Sequence, residues 1–367
     1  MLNRRAKKKR NPPIGLTNLK PIAFVADFFR NGIHMVESYQ TNSSNIIEFN
    51  EVIKDYGSNK IIGPVNFNIK KGEIVGFLGP NGSGKTTCIR LILGLIKATS
   101  GSVKVNGFDP VINHVEALRN VAYSPELPNI QTFFSPRELL NLISHELPYF
   151  NNKETRNNEI NRILELVGLR EYTDVKVGKL SKGMVQRLSV AQALMGSPET
   201  LILDEPMIGL DPAGSAHFRK VFKDFVSKTN GTVFMSSHIM SEVESLCTSV
   251  AIIHRGKILF QGPVQEVTQK VLNYSLIQLE TSLLTSKTIK KLKEIPGIIH
   301  VDPLNKQNNS QYAAFEISLN EKDSHIRPLI SELIVKSGAK LYTIKQSENM
   351  LERAYIEALQ DKKGDTL

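Results

Sequence analysis

Short, unbroken apolar runs punctuate the middle of this chain, separated by amphipathic stretches. Ile74 to Leu78 (IVGFL), Leu201 to Leu203, Thr232 to Met235 and Val250 to Ile253 are of this kind. Such runs suit strands of a parallel sheet, in which both faces are covered. Ile46 to Val52 and Val65 to Ile69 alternate instead, as strands with one wetter face do. Between the runs, Thr86 to Ile96, Ala213 to Thr229 and Ser241 to Cys247 read as helices. Strands alternating with helices predict an α/β core with a largely parallel sheet and an antiparallel β portion.

Between about Glu126 and Pro198 the strand signal stops. Pro136 to Leu147 and Glu154 to Val167 have helical character, with Gly168 as a C-terminal stop. This predicts a helical subdomain set into the α/β core. After about Val271 a second rhythm begins. Ser275 to Leu279, Ala313 to Leu319 and Ala339 to Ile344 read as strands, and Thr288 to Lys293 and Arg327 to Ser337 as helices. A β-α-β-β-α-β-like order predicts a small α+β C-terminal domain. The expected division is an extension over 1–45, a core domain over 46–270 with its helical part at about 126–198, and an accessory domain over 271–367.

Composition changes this picture little. The 367 residues are 41% hydrophobic and 22% charged, ordinary values for a globular protein. No run of about 18 apolar residues predicts a transmembrane helix. The net charge of +10 is concentrated at one end, because Arg4, Arg5, Lys7, Lys8, Lys9 and Arg10 supply six of the ten charges and leave +4 for the rest. The folded body is therefore not marked as a nucleic-acid binder. The 1–45 stretch reads as a disordered extension with one short helix near Phe24 to Phe29. It is either a solvated tail or a contact for anionic lipid. Cys88 and Cys247 lie in no metal-binding pattern and read as reduced, buried thiols.

The chemistry starts at Gly79-Pro80-Asn81-Gly82-Ser83-Gly84-Lys85-Thr86-Thr87, which matches G-x-x-x-x-G-K-[ST] between a buried strand and a helix. Glycines let successive N–H groups point inward as an anion site, and the helix start adds its positive end. Lys85 can reach β- and γ-phosphates, and the Thr86 hydroxyl can hold Mg²⁺. A nucleoside triphosphate is the expected ligand. Leu201-Ile-Leu-Asp-Glu-Pro206 ends a strand on two acids, where parallel sheets bind ligands. Asp204 is placed for Mg²⁺ and Glu205 to orient or deprotonate an attacking water. His238 ends the next run, is expected beside Asp204, and could sense the γ-phosphate. A strand ending in acids, or a lone histidine, is a weak signal; the combination is what carries weight.

Leu180-Ser-Lys-Gly-Met-Val-Gln-Arg187, just ahead of the acidic strand, resembles the LSGGQ signature of ATP-binding cassette (ABC) proteins. The order of motifs is also similar to theirs: phosphate loop, signature, Walker B strand, Gly209-Leu-Asp211-Pro212 as D-loop, and switch His238. Tyr56 resembles the aromatic that stacks on adenine. The resemblance implies a P-loop NTPase core acting as a head-to-tail dimer. Each ATP would lie between Gly79–Thr87 of one subunit and Ser181 and Gly183 of the other, with Asp211 nearby. It further implies ATP hydrolysis coupled to a separate multi-span membrane permease, with the chain on the cytoplasmic face of the inner membrane and no nucleic acid as partner. Three positions depart from the pattern: Lys182 and Met184 in the signature, and Glu126 where a glutamine is usual near Mg²⁺. Phe133, Phe134 and Pro136 fit either a groove for a coupling helix or ordinary core. The span Ser237 to Cys247, Arg255-Gly-Lys-Ile and Leu351-Glu-Arg-Ala-Tyr355 resembles a bacterial multidrug and polysaccharide exporter branch. The competing expectations are a soluble ABC ATPase on ribosomes or nucleic acid, and a regulator.

Overall fold

The computed structural model describes residues 44–57, 61–147, 150, 152–267, 274–304, 312–320, 326–347 and 350–364. The basic N-terminal cluster and the expected helix near Phe24 to Phe29 lie outside them. The chain runs β1 (Asn45–Asp55), β2 (Ile61–Lys70), β3 (Ile74–Leu78), α1 (Lys85–Ile92), β4 (Ser100–Val105), α2 (His114–Ala117) and β5 (Val121–Ser124). There follow α3 (Pro136–Glu146), α4 (Lys153–Leu166), α5 (Lys182–Leu194), β6 (Thr200–Asp204), α6 (Pro212–Thr229), β7 (Thr232–Ser237), α7 (Met240–Leu246), β8 (Ser249–His254) and β9 (Lys257–Pro263). The last part contains β10 (Tyr274–Ser282), α8 (Ser286–Lys293), β11 (Ile298–Pro303), β12 (Tyr312–Asn320), α9 (Ile326–Lys336), β13 (Leu341–Gln346) and α10 (Met350–Gly364).

A six-stranded sheet of order β5-β6-β7-β3-β8-β9 holds the centre, parallel except where β9 folds back on β8. Its apolar runs are continuous because each face meets a different core. On β3, Ile74 and Leu78 join one apolar cluster while Val75 and Phe77 join another. Leu201, Val233, Met235, Val250 and Ile252 face the first side, and Ile202, Phe234, Ala251 and Ile253 the second.

The first side is covered by helices, including Leu139 and Leu140 of α3, Ile160 and Ile163 of α4, and Phe218 and Phe222 of α6. No strand falls between residues 125 and 199 among the described residues. The helical stretch is fixed by local signals. Ser135 caps α3 in a reciprocal capping box with Glu138, Asn152 caps α4, and Gly168 takes a left-handed φ of 71° after it. On the second side lies the three-stranded antiparallel sheet β2-β1-β4. An aromatic pile joins the two sheets: Phe49 stacks on Phe67 at 4.3 Å, and Phe67 lies 5.3 Å from Phe77 and 6.3 Å from Phe234.

The C-terminal strands form their own antiparallel sheet of order β11-β12-β10-β13. Ile277, Leu279, Phe315 and Ile317 pack under Leu292 of α8 and Ile330 and Ile334 of α9, in a cluster separate from the other two. The sequence pattern anticipated β10, β12, β13 and both helices; β11 and α10 are additional. Cys88 and Cys247 are free and buried, and burial pushes the Cys88 thiol up to about 12. Among the described residues, no helix is long and apolar enough to cross a membrane.

Candidate nucleotide site

The phosphate loop leaves the end of β3 and enters α1 directly. Glycine is required at position 79, since a Cβ there would sit 2.3 Å from the Ile253 carbonyl oxygen. Gly84 turns the chain into α1 at a φ of 117°, open to few other residues. Lys85 is buried and its ammonium folds back over the loop, donating to the Gly79 carbonyl at 2.7 Å and lying 3.4 Å from that of Pro80. The Ser83 hydroxyl is buried without a hydrogen-bond partner. An unspent donor inside a glycine-lined turn at a helix start is what an anionic oxygen fits. Asn81 and Gly82 form the exposed tip, while Thr87 is the third residue of α1.

The acidic strand end stands beside this loop. Asp204 is 2% exposed, and its Oδ2 lies 3.4 Å from Thr86 Oγ1. Ser236 on the neighbouring β7 donates to Asp204 Oδ1 at 2.5 Å and accepts from the Glu205 N–H at 3.0 Å. Burial pushes the Asp204 carboxyl above its usual range, with the Glu205 charge adding to it. The bonds from Ser236 and Thr86 and the charge of Lys85 pull the other way. Glu205 takes a left-handed φ of 49°, which swings its carboxylate off the strand line. One of its oxygens lies 3.3 Å from Lys85 Nζ and the other 2.8 Å from His238 Nδ1.

His238 therefore meets Glu205, not Asp204 as its strand position suggested. The reason is register: in the parallel β6–β7 pair Asp204 faces Ser236, so a residue two places on lies past the strand end, beside Glu205. Sequence reasoning missed Ser236, although it lies within the Met235–His238 run. Aligning the two strand ends would have exposed it.

The remaining residues fall into two groups. Tyr56 is 43% exposed, with its hydroxyl 3.4 Å from Thr87 Oγ1 and Lys54 Nζ 5.3 Å from its ring centre. Its ring is thus a ready, half-wet face at the edge of the loop. Ser181, Gly183 and Asp211 belong together elsewhere. Ser181 caps α5 by accepting from Met184 N, and a Cβ on Gly183 would lie 2.8 Å from the Gly209 carbonyl. Asp211 caps α6 and lies 3.6 Å from Arg187 of α5. The signature helix and the 209–211 loop form one surface, joined by the close approach of Gly183 to Gly209 and by the Arg187–Asp211 pair. Lys182, the first residue of α5, is exposed.

The donor set near Thr86 suits Mg²⁺. A hydroxyl and a carboxylate oxygen are hard ligands, and Mg²⁺ takes few protein groups while keeping waters and substrate phosphates. Among the described residues no group of three or more His, Cys, Asp or Glu side chains is gathered as a metal cage. Glu126 follows β5 and is half-buried; its charge and that of Asp204 both raise the Tyr123 phenol, after burial, which puts the two acids around one ring. Phe133 is exposed and Phe134 packs on the first core, so the pair divides between the two expectations.

Comparison with known proteins agrees with this geometry. The ABC transporter family model matches residues 62–208. The bacitracin transport ATP-binding protein BcrA of Bacillus licheniformis is 37% identical over 318 residues, 86% of this chain and 98% of that protein. The linearmycin resistance ATP-binding protein LnrL of Bacillus subtilis (strain 168) is 28% identical, over 85% and 97% of the two chains. A solved ATP-binding subunit of an ABC transporter superposes with a TM-score of 0.55 at 26% identity, covering 61% of this chain and 92% of that one. The chain belongs to the ATP-binding, ATP-hydrolysing proteins of the ABC transporter family.

Proposed function

We propose that this chain drives export through a separate multi-span membrane subunit, acting as a dimer on the cytoplasmic membrane face. The observation that carries the reading is the near full-length likeness to BcrA, C-terminal part included, together with an intact Lys85–Glu205–His238 constellation. The name of LnrL, a resistance protein, supports an outward direction. The chain divides into a core over 46–270 and an accessory unit over 271–367. The separate apolar cluster of the C-terminal sheet supports that division.

The site residues take the following parts. The 79–87 loop binds the phosphates through its N–H groups, Ser83 and Lys85, and Tyr56 stacks on the base. Thr86 and Asp204 would hold Mg²⁺, with Glu126 as a further oxygen donor; the ion, when bound, neutralises phosphate charge as the γ-phosphoryl leaves. Glu205 orients the attacking water and takes its proton. His238 fixes the Glu205 carboxylate from the other side and reports on the γ-position. Ser181 and Gly183, at the positive start of α5, close on the γ-phosphate of the opposite subunit. This division explains why the signature residues sit apart from the phosphate loop within one chain.

The test is to capture a tagged Glu205→Gln variant from detergent-solubilised membranes with ATP present. A stoichiometric multi-span partner is the expected result. Recovery with ribosomes or nucleic acid, or as a lone soluble dimer, would sink the exporter reading and leave the ATPase standing.

A further inference from the structure

The C-terminal helix α10 supplies no nucleotide-binding residue, yet it touches two walls of the nucleotide site. The Leu351 N–H, one of the helix-start amides with no partner inside its own helix, donates to Glu244 Oε1 at 2.5 Å. Glu244 belongs to α7, which begins two residues after His238. One turn further along, the Tyr355 hydroxyl shares a 2.9 Å hydrogen bond with His254 Nδ1, the rings meeting edge to face. Burial raises the Tyr355 phenol, which keeps its hydrogen at neutral pH.

His254 ends β8, and the turn after it backs the phosphate loop. The Gly256 N–H donates to the Ser83 carbonyl at 2.8 Å, while the Gly256 carbonyl accepts from Gly63 N–H at 2.8 Å. The Ile253 carbonyl is the atom that leaves no room for a side chain at Gly79. At the first attachment the Leu351 side chain is fully buried in the apolar cluster that contains Leu78, Val243 and Ile252, and Tyr355 packs against the same cluster.

We infer that α10 is a strut of the catalytic site, with Glu244 and Tyr355 as positioning residues acting on its two sides. One path runs from Tyr355 through His254 and the 255–256 turn to the carbonyl of Ser83. It steadies the loop that binds phosphate in the ground state. The other runs from the helix start through Glu244 to α7, and so to the segment that carries His238 against Glu205. It steadies a contact used in the chemical step. A single helix packed into the core serves both, so the accessory unit is mechanically continuous with the site. The inference rests on the nucleotide-site roles proposed above.

Two separable kinetic effects follow for the full-length chain assayed with Mg-ATP. Tyr355→Phe keeps the ring and loses one hydrogen bond, so KM for ATP rises about threefold with kcat nearly unchanged. Glu244→Ala lowers kcat about threefold with KM held, and Glu244→Gln, whose amide oxygen still accepts the Leu351 N–H, restores it. A purely structural role would lower the active fraction in both variants alike, without a split between KM and kcat and without rescue. That result, or unchanged kinetics in both, overturns the inference. Lys85→Ala in the same assay separates the two readings: if it too is silent, the site assignment has failed rather than the strut.

Discussion

Ser236→Ala perturbs the site at a residue that touches no substrate and yet sits between its two acids. The hydroxyl is fully buried, donates to Asp204 and accepts the Glu205 N–H. Its loss removes a bond to a charged group, about 1.5–3 kcal/mol, and strands a buried amide at about 1–3 kcal/mol. The two are not additive, because they share one atom, so a loss of about 3 kcal/mol is expected at neutral pH. The pH dependence has a definite sign. The folded Asp204 pKa lies above its unfolded value near 3.9. The folded chain therefore holds this proton more tightly, and stability declines as pH rises from the unfolded value through the folded one. The Ser236 bond opposes that rise in pKa. Without it the folded pKa moves higher and the decline continues further, each unit being about 1.4 kcal/mol. The difference between variant and parent should thus be smaller at pH 5 than at pH 7.5, as read by urea denaturation at both. A penalty of equal size at the two values, or none, would refute the assigned bond to ionised Asp204.

Three further outcomes test the site and its scaffold. Lys85→Ala should abolish tight binding of a fluorescent ATP analogue, and retained affinity would remove the phosphate-loop argument. Gly183→Ala places a methyl 2.8 Å from the Gly209 carbonyl, about half an ångström inside ordinary contact. It should leave nucleotide binding by the single chain intact while lowering ATP-driven dimerisation, measured by light scattering, and hydrolysis at least tenfold. Gly76→Ala puts a Cβ 2.5 Å from Val243 Cγ1 and 3.0 Å from the Cys247 sulfur. The helix α7 must then lift off β3, costing about 1–3 kcal/mol in thermal or urea melts; wild-type stability would contradict the packing described.

How much of this was legible beforehand depended on whether a residue's role is local. The central strands announced themselves because burial on two faces leaves no polar positions in IVGFL (74–78) or in LIL (201–203). Strand β4 was not recognised, since in SGSVKV only Val103 and Val105 are buried. Strand β5 is four residues at the sheet edge, and β11 buries only Val301 and leaves most of its other positions exposed. Lys85, Thr86, Asp204 and Glu205 were readable because glycine spacing and strand ends fix where they must stand. Ser236 was not, because its role comes from the register of two strands distant in sequence. His238 was assigned to the right edge but to the wrong acid for the same reason.

The C-terminal helix shows the limit more sharply. Leu351 to Tyr355 was noticed only as a run resembling one branch of a family, and nothing in its spacing says what it touches. Its two attachments combine a backbone amide with Glu244 and a phenol with His254, across 107 and 101 residues. The continuation to the phosphate loop is carried by the amide of Gly256 and the carbonyl of Ser83. Backbone groups carry no residue signature, so a path built on them is invisible in sequence even where each side chain along it is recognised. The same property makes the path testable only at its ends. Tyr355 and Glu244 are where side-chain chemistry enters, and it is there that substitution can separate ground-state binding from the chemical step.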